Sequence, residues 1–458
     1  MKYLKIFSIV SFGILFCLPQ VNAQKETPPA PKAPKDFVLP AKKQITLGNG
    51  MRATLVQYGQ VPKVTVLLSL KTGEINENAH QVWLSDVLAQ MMEQGTETMN
   101  AGQLQRKIAE MGGSIGIHSG SYQFSVSASA LSENVIDLIK LISDLVMHPA
   151  FPESQLNRIK NDFKRNLAVQ KEEPQLMAQA KFSEIIYGNN SPYGRMFPTN
   201  EMLDDYTLGD VKKFYEENFG AKRAVLYVAG VFNEGEVSKA IEAAFKGWKQ
   251  GSGAIYPDDN FKYKPQTAII NRKGAPQTTV FMGLPVIDPK NPDYMKLTIA
   301  NSLLGGSFGS RITRNIREDK GYTYSPFSTI NNMPGISVWY EDADITSEHT
   351  IDAISEIKKE ILRLADTIPS QQEMLGIQRN EAGLYILKNS SPDNIIGQLN
   401  FMDHFGLSDS YLSDMVKNIY AVTPEEVSAM VKKYIDPDKM SLVMVGDEEQ
   451  IKAQDKEK

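Results

Sequence analysis

The stretches A-V-L-Y-V-A-G at residues 224–230 and M-S-L-V-M-V-G at residues 440–446 decide the fold, because they are one element written twice, 216 positions apart. Each is a short apolar run ending on glycine, the pattern of a β-strand. Each also follows a matching helix start. Thr207-Leu208-Gly209-Asp210-Val211 with Lys212-Lys213-Phe214-Tyr215 corresponds to Thr423-Pro424-Glu425-Glu426-Val427 with Lys432-Lys433-Tyr434. In both, a threonine N-cap with an acid three residues on predicts a capped helix feeding the strand.

Working outward, Ser132-Glu133-Asn134-Val135-Ile136-Asp137 matches Ser347-Glu348-His349-Thr350-Ile351-Asp352 at an offset of 215, and Pro152-Glu153-Ser154-Gln155 matches Pro369-Ser370-Gln371-Gln372 at 217. A long-period duplication of this kind predicts two homologous halves. Alternating runs at Ala53–Val56, Val64–Leu68 and Phe124–Ala128 read as half-buried strands, and Val135–Met147 and Gln155–Val169 read as helices. Strand clusters interrupted by helix pairs predict an α+β fold: two sandwich halves, each a largely antiparallel sheet packed against helices, with a cleft between them.

The expected organisation is a signal peptide at residues 1–23, a flexible Pro-rich tether at 24–37, an N-terminal domain at 38–250, a polar linker at 251–265, a C-terminal domain at 266–450 and a charged tail at 451–458. The signal reading rests on basic Lys2 and Lys5, the apolar run from Ile6 to Leu18, and Val21-Asn22-Ala23 as a small-residue cleavage site. It implies an exported chain, periplasmic or extracellular, touching the membrane only through that signal. Retention of the segment as an anchor is the alternative. Cys17, the one cysteine, falls inside the signal, so the mature chain would have no disulfide, thiol nucleophile or thiolate ligand.

The chain is 458 residues long and 22% charged, with both signs interspersed; the formal charge of −5 becomes −7 once Lys2 and Lys5 leave. Nothing in that distribution favours nucleic acid. A P-loop, a dinucleotide fingerprint and a serine nucleophile elbow are likewise missing. The five histidines, His80, His118, His148, His349 and His404, include no pair spaced for a helix-borne metal site. Trp83, Trp248, Trp339 and the Met91-Met92 pair read as core or interface.

Several ordered strings carry a resemblance over about residues 43–446. They are Leu47-Gly48-Asn49-Gly50-Met51, Glu93-Gln94-Gly95-Thr96, Gly112-Gly113-Ser114, Pro192-Tyr193-Gly194-Arg195 and Gly305-Gly306-Ser307-Phe308-Gly309-Ser310-Arg311. In these the chain resembles the pitrilysin/insulinase family of zinc metallopeptidases, especially processing-peptidase-like subunits and their bacterial relatives. Active members carry H-x-x-E-H on a helix, two histidines holding zinc and the glutamate acting as general base, with a further glutamate downstream. Counted back from Gly95-Thr96, those positions fall here on Asp86, Ala89 and Gln90, and the distal one on or near Asn166. The resemblance therefore implies a degenerate zinc motif and no metal bound by this chain.

The second half, unlike the first, matches the family at its own motif. Arg317 and Tyr324, within Arg317-Glu318-Asp319-Lys320-Gly321-Tyr322-Thr323-Tyr324, resemble the family's substrate-gripping pair. The residues predict a helix from Phe308 to Lys320, a cap at Gly321 and a strand beginning over Tyr322–Ser325, so that the two side chains converge. Gly305, Gly306 and Gly309 would let a peptide backbone approach. The function implied is that of a non-zinc subunit of an exported heterodimeric metallopeptidase, with Arg317 and Tyr324 stabilising the transition state. Zinc is then expected in a homologous partner carrying H-x-x-E-H, unfolded peptides are the substrates, and the halves form a clamshell on dimerisation. The alternative is an inactive pseudopeptidase acting as a peptide-binding or scaffold protein.

Overall fold

The structure, a computed structural model, describes residues 38–256 and 262–456. The expected signal peptide and the whole of the tether lie outside the described residues, as does the middle of the 251–265 linker. The first half runs β1 (Lys42–Thr46), β2 (Arg52–Gln57), β3 (Lys63–Leu70), α1 (Leu84–Met92), β4 (Gly95–Thr96), β5 (Met99–Asn100), α2 (Ala101–Glu110), β6 (Ser114–Ser119), β7 (Phe124–Leu131), α3 (Val135–Met147), α4 (Glu153–Gln170), α5 (Pro174–Tyr187), α6 (Asn200–Asp205), α7 (Leu208–Asn218), β8 (Ala224–Gly230) and α8 (Glu234–Phe245). The second runs β9 (Thr267–Asn271), β10 (Gln277–Val286), α9 (Tyr294–Leu304), β11 (Phe327–Met333), β12 (Ile336–Thr346), α10 (Thr350–Asp366), α11 (Gln371–Lys388), α12 (Pro392–Phe405), α13 (Ser410–Ser413), α14 (Met415–Ala421), α15 (Pro424–Tyr434), β13 (Ser441–Gly446) and α16 (Glu448–Lys456).

The duplication read from the sequence is present in the order of the strands. One sheet has the order β1-β2-β8-β3-β7-β6 and the other β9-β13-β10-β12-β11, so the second repeats the first without its outer strand. In each, a single parallel pair, β2 with β8 or β13 with β9, interrupts an otherwise antiparallel ladder. Helices α7 and α15, the two threonine-capped segments, both close capping boxes: Thr207 with Asp210 and Thr423 with Glu426. Residues 451–456 continue α16, with Ile451 buried beneath it.

Alternation explains which faces are covered. Along β7, Phe124, Val126, Ala128 and Ala130 are buried toward α3 while the serines between them are partly open. Along β8, by contrast, all seven residues are buried, which requires cover on both faces. The second cover comes from the other half. Helix α12 crosses the outer face of β3 and β8, and α5 reciprocally crosses β10 and β13, where Phe182 packs 5.9 Å from both Phe281 and Tyr340. The two sandwich halves are there as expected, and each also lends a helix to the other's sheet. Full burial of an apolar side chain such as Val443 or Leu226 in these layers is worth about 1.5–3 kcal/mol.

Polar groups pin the α12 exchange. Asp403 accepts hydrogen bonds from Tyr227 Oη and from Arg52 Nη1 (3.2 Å), and Tyr58 Oη donates to the carbonyl of Asn389 at 2.8 Å. Beside it His404 is buried, with Nε2 3.4 Å from Ser69 Oγ and the ring edge-on to Tyr122 at 5.0 Å. Burial, reinforced by the charge of Lys71, holds its pKa down to about 4.

Candidate functional site

Helix α1 begins at an unusual place. Trp83 takes a left-handed backbone conformation (φ 68°), and the carboxylate of Glu77 accepts from the N–H groups of Trp83 (3.0 Å) and Ser85 (2.7 Å) and from Ser85 Oγ (2.7 Å). Those are helix N-terminal donors with no intrahelical partner, so Glu77 serves as the cap that Trp83 cannot be. Burial nevertheless drives the pKa of Glu77 well up. Arg195 of the Pro192-Tyr193-Gly194-Arg195 string donates to the Glu77 carbonyl at 2.9 Å, tying that string to the start of α1.

The fold brings the degenerate positions together. Asp86, Ala89 and Gln90 of α1 and Asn166 of α4 share a cavity of about 270 Å³ with His118 of β6 and with Asp162 and Phe163 of α4. Asp86 Oδ2 is buried without a hydrogen-bond partner, and burial, with the charge of Glu74 beyond it, pushes the Asp86 pKa up to about 8. Gln90 instead donates to Glu93 at 3.2 Å, and Asp162 is already committed to Arg158 and Arg165.

Catalytic zinc asks for three strong ligands and a base beside its water. Here one carboxyl favours its protonated form, two positions are amides, and alanine stands where the base belongs. No group of three or more His, Cys, Asp or Glu able to hold a metal occurs among the described residues. The donor set does not fit catalytic zinc. Sequence reasoning missed His118 as a lining residue, because a strand brings it in from outside the helical motif.

The second-half group is built by an irregular helix. Phe308 to Ser310 form turns where the helix was expected to begin, and Thr313–Asp319 is π-helical, a rare geometry often found at functional sites. Asn315 ties it to α10 by donating to Glu356 and Glu360, each at 2.8 Å. Gly321 (φ 67°) ends it as expected, and the Tyr322 N–H closes the cap on the carbonyl of Ile316 at 2.8 Å. The expected strand over Tyr322–Ser325 is reduced to a single bridge, Thr323 to Ile345, and β11 begins only at Phe327. The physical reason is that Tyr322 stacks on His349 (4.4 Å) and Thr323 Oγ1 donates to the Asp344 carbonyl, so side chains rather than a ladder fix the turn.

Arg317 and Tyr324 do converge. The guanidinium carbon of Arg317 lies 4.7 Å from the Tyr324 ring centroid and 4.5 Å from that of Phe308, and its Nε is 3.2 Å from Glu318. Tyr324 is 79% and Phe308 70% exposed, so the cation is braced between two aromatics standing in solvent. Phe308, inside the glycine-rich string, is thus the second aromatic on the guanidinium.

The glycines divide by environment. A Cβ on Gly305 would stand 2.5 Å from Ser328 Oγ and 2.6 Å from Glu341 Oε2, and one on Gly306 would strike Asn301 Nδ2, whereas Gly309 has open space around it. Beneath them, Asn301 Oδ1 accepts from Ser328 Oγ and Trp339 Nε1, both at 2.7 Å. Glu341 is buried with neither carboxyl oxygen in a side-chain hydrogen bond, and burial raises its pKa well above the usual range. Asn301 stands in α9 as Gln90 stands in α1, each preceded by alanine (Ala300, Ala89) and followed five residues on by glycine (Gly306, Gly95). That internal correspondence was the available signal for this buried group.

The fold and these groups define a duplicated α+β peptidase-type chain whose first-half helix lacks a zinc ligand set. The chain belongs to the M16, or insulinase, family of peptidases: the model described as Insulinase (Peptidase family M16) matches residues 53–197, and the model described as Peptidase M16 inactive domain matches residues 205–381. Among relatives, Bacillus subtilis YmxG, named an uncharacterized zinc protease, is 22% identical over 86% of this chain and 96% of its own length. The Helicobacter pylori chain named non-peptidase homolog YmxG is 18% identical over 86% and 91%. Mitochondrial-processing peptidase subunit alpha of Solanum tuberosum is 23% identical over 91% and 83%. An M16 inactive domain from Pseudomonas fluorescens shares the fold, with a TM-score of 0.83 at 22% identity over 89% of this chain and 98% of that one.

Proposed function

We propose that this chain is the non-zinc subunit of an exported, two-chain M16 peptidase, in which a homologous H-x-x-E-H partner supplies zinc. In this reading Arg317 and Tyr324 grip the substrate and brace the oxyanion. The observation that carries it is the contrast between the two groups. The first cavity offers Asp86, whose carboxyl burial pushes toward its neutral form, with Ala89, Gln90 and Asn166, while Arg317 and Tyr324 lie face to face with the tyrosine open to a ligand. A guanidinium and a phenol are hydrogen-bond donors suited to a carbonyl that gains negative charge. Gly309, unobstructed beside them, would admit a peptide backbone. The resemblance to a chain named as a processing-peptidase subunit supports a division of labour, and the signal-like first 23 residues support export.

The test is to purify the chain alone and with candidate H-x-x-E-H partners, measuring zinc content and cleavage of unfolded peptides. Activity confined to the mixture and lost in Tyr324→Phe supports shared catalysis; stoichiometric, hydrolytically competent zinc in the single chain sinks it. A second reading, a pseudopeptidase that binds peptides or scaffolds a complex, is favoured by the Helicobacter relative named a non-peptidase homolog. Under it the mixture cleaves equally well with Tyr324→Phe.

A further inference from the structure

A second cavity, of about 610 Å³, opens beside the aromatic stack and shares Phe308 with it. Its wall carries Arg311 and Arg314 from the segment after the glycine turn, Ser307 from the turn itself, and Glu373 from the first turn of α11. Arg311 is the informative member. Its side chain is only 10% exposed, and Nε and Nη2 donate to Glu373 at 3.1 and 3.3 Å. Its Nη1, though buried, has no hydrogen-bond partner, and neither does the buried Ser307 Oγ.

An unpaired buried guanidinium N–H costs free energy unless a ligand or water completes it. The charges say which ligand. Glu373 is already used by Arg311 and by Ser370, whereas Arg314 lines the same cavity, exposed, with no ion pair among the described residues. The lining is therefore net positive, and the N-terminus of the 18-residue α11, through Ser370 and Gln372, adds its positive dipole end. Guanidinium groups pair bidentately with carboxylates and phosphates, and of these the carboxylate is the one that an unmodified peptide carries.

We infer that this cavity is a carboxylate subsite for peptides, in which Arg311 Nη1, Arg314 and Ser307 Oγ receive an acidic side chain or a C-terminal carboxylate while Phe308 and Tyr324 hold the adjoining chain. The inference rests on the peptide-binding reading above and deepens it by naming a substrate class.

The experiment uses the purified chain and three labelled unfolded peptides of one sequence: amidated with a single glutamate, amidated with glutamine in its place, and the glutamine peptide with a free C-terminus. Fluorescence anisotropy should give at least one carboxylate peptide about tenfold or more tighter binding than the neutral one. Arg314→Gln, on an exposed side chain with no ion pair among the described residues, should remove most of the difference. Ser307→Ala should reduce it in part. Equal affinity for all three peptides, no binding of any, or a preference that survives Arg314→Gln overturns the subsite. The subsite alone fails if Tyr324→Phe still abolishes cleavage by the mixed chains while the three peptides bind alike. The shared-peptidase reading alone fails if the carboxylate preference is Arg314-dependent while Tyr324→Phe leaves cleavage untouched.

Discussion

The guanidinium of Arg317 rests 4.7 Å from the ring centroid of Tyr324, seven residues on, because a π-helical turn ending at Gly321 folds the chain back on itself. Tyr322 and Thr323 between them are pinned to His349 and Asp344, so the position of Tyr324 is set by its neighbours while its own ring stays free.

That arrangement separates two roles in one residue. Tyr324→Phe keeps the stack and should leave the melting temperature unchanged, yet lower partner-assisted cleavage about 10²–10³-fold through loss of one oxyanion donor. Tyr324→Ala should in addition cost about 0.5–1 kcal/mol of stability from the exposed cation–π contact. Thermal melts and kcat/KM for both variants check it.

The glycine-rich turn makes a sharper contrast. Gly305→Ala drives a methyl group against Ser328 and Glu341 and should destabilise the chain by about 1–3 kcal/mol, as overpacking does, whereas Gly309→Ala meets nothing and should be silent in a urea melt.

Glu341 should make stability fall as pH rises. Its folded pKa is raised by burial, so the native chain keeps a proton that the unfolded chain releases above the ordinary glutamate range. The protonated side chain contributes fully below about pH 4.5, and that contribution is lost progressively above it. Glu341→Gln should flatten this slope, so that its melting temperature gains on that of the parent chain between pH 4 and pH 7.

His404 should act in the opposite direction. Its folded pKa of about 4 lies below the unfolded value, so the unfolded chain binds the extra proton. Stability is unaffected above pH 6.5 and declines from there to pH 4, by about 3 kcal/mol in total. Because Glu341 acts the other way over the same window, the measure is the stability difference between the parent chain and His404→Gln in urea melts, which should move against the parent by about 3 kcal/mol as pH falls from 6.5 to 4.

Because α1 and α4 already present the four degenerate positions to one cavity, ligands restored there should meet. The variant Asp86→His, Ala89→Glu, Gln90→His, Asn166→Glu is expected to retain about one zinc per chain after dialysis by elemental analysis, and the parent chain none.

The sequence by itself determined the duplicated α+β architecture, the two capped helices, the strands around Val64 and Phe124, and the residue types at Asp86, Ala89, Gln90 and Asn166. Capping and periodicity act over a few residues, and a missing histidine is missing in any fold. Only the tertiary structure decided the exchange of α5 and α12, the bracing of Arg317 by Phe308, the entry of His118 into the degenerate cavity, and the burial of Glu341 and Arg311. Those depend on which distant segments cover a group and strip its water. Helix periodicity predicted a regular helix from Phe308, but the chain turns there, with the Ser310 N–H on the Ser307 carbonyl, and continues as a π-helix that Asn315 ties to Glu356 and Glu360 of α10. Packing between residues far apart in the chain outweighed the local preference.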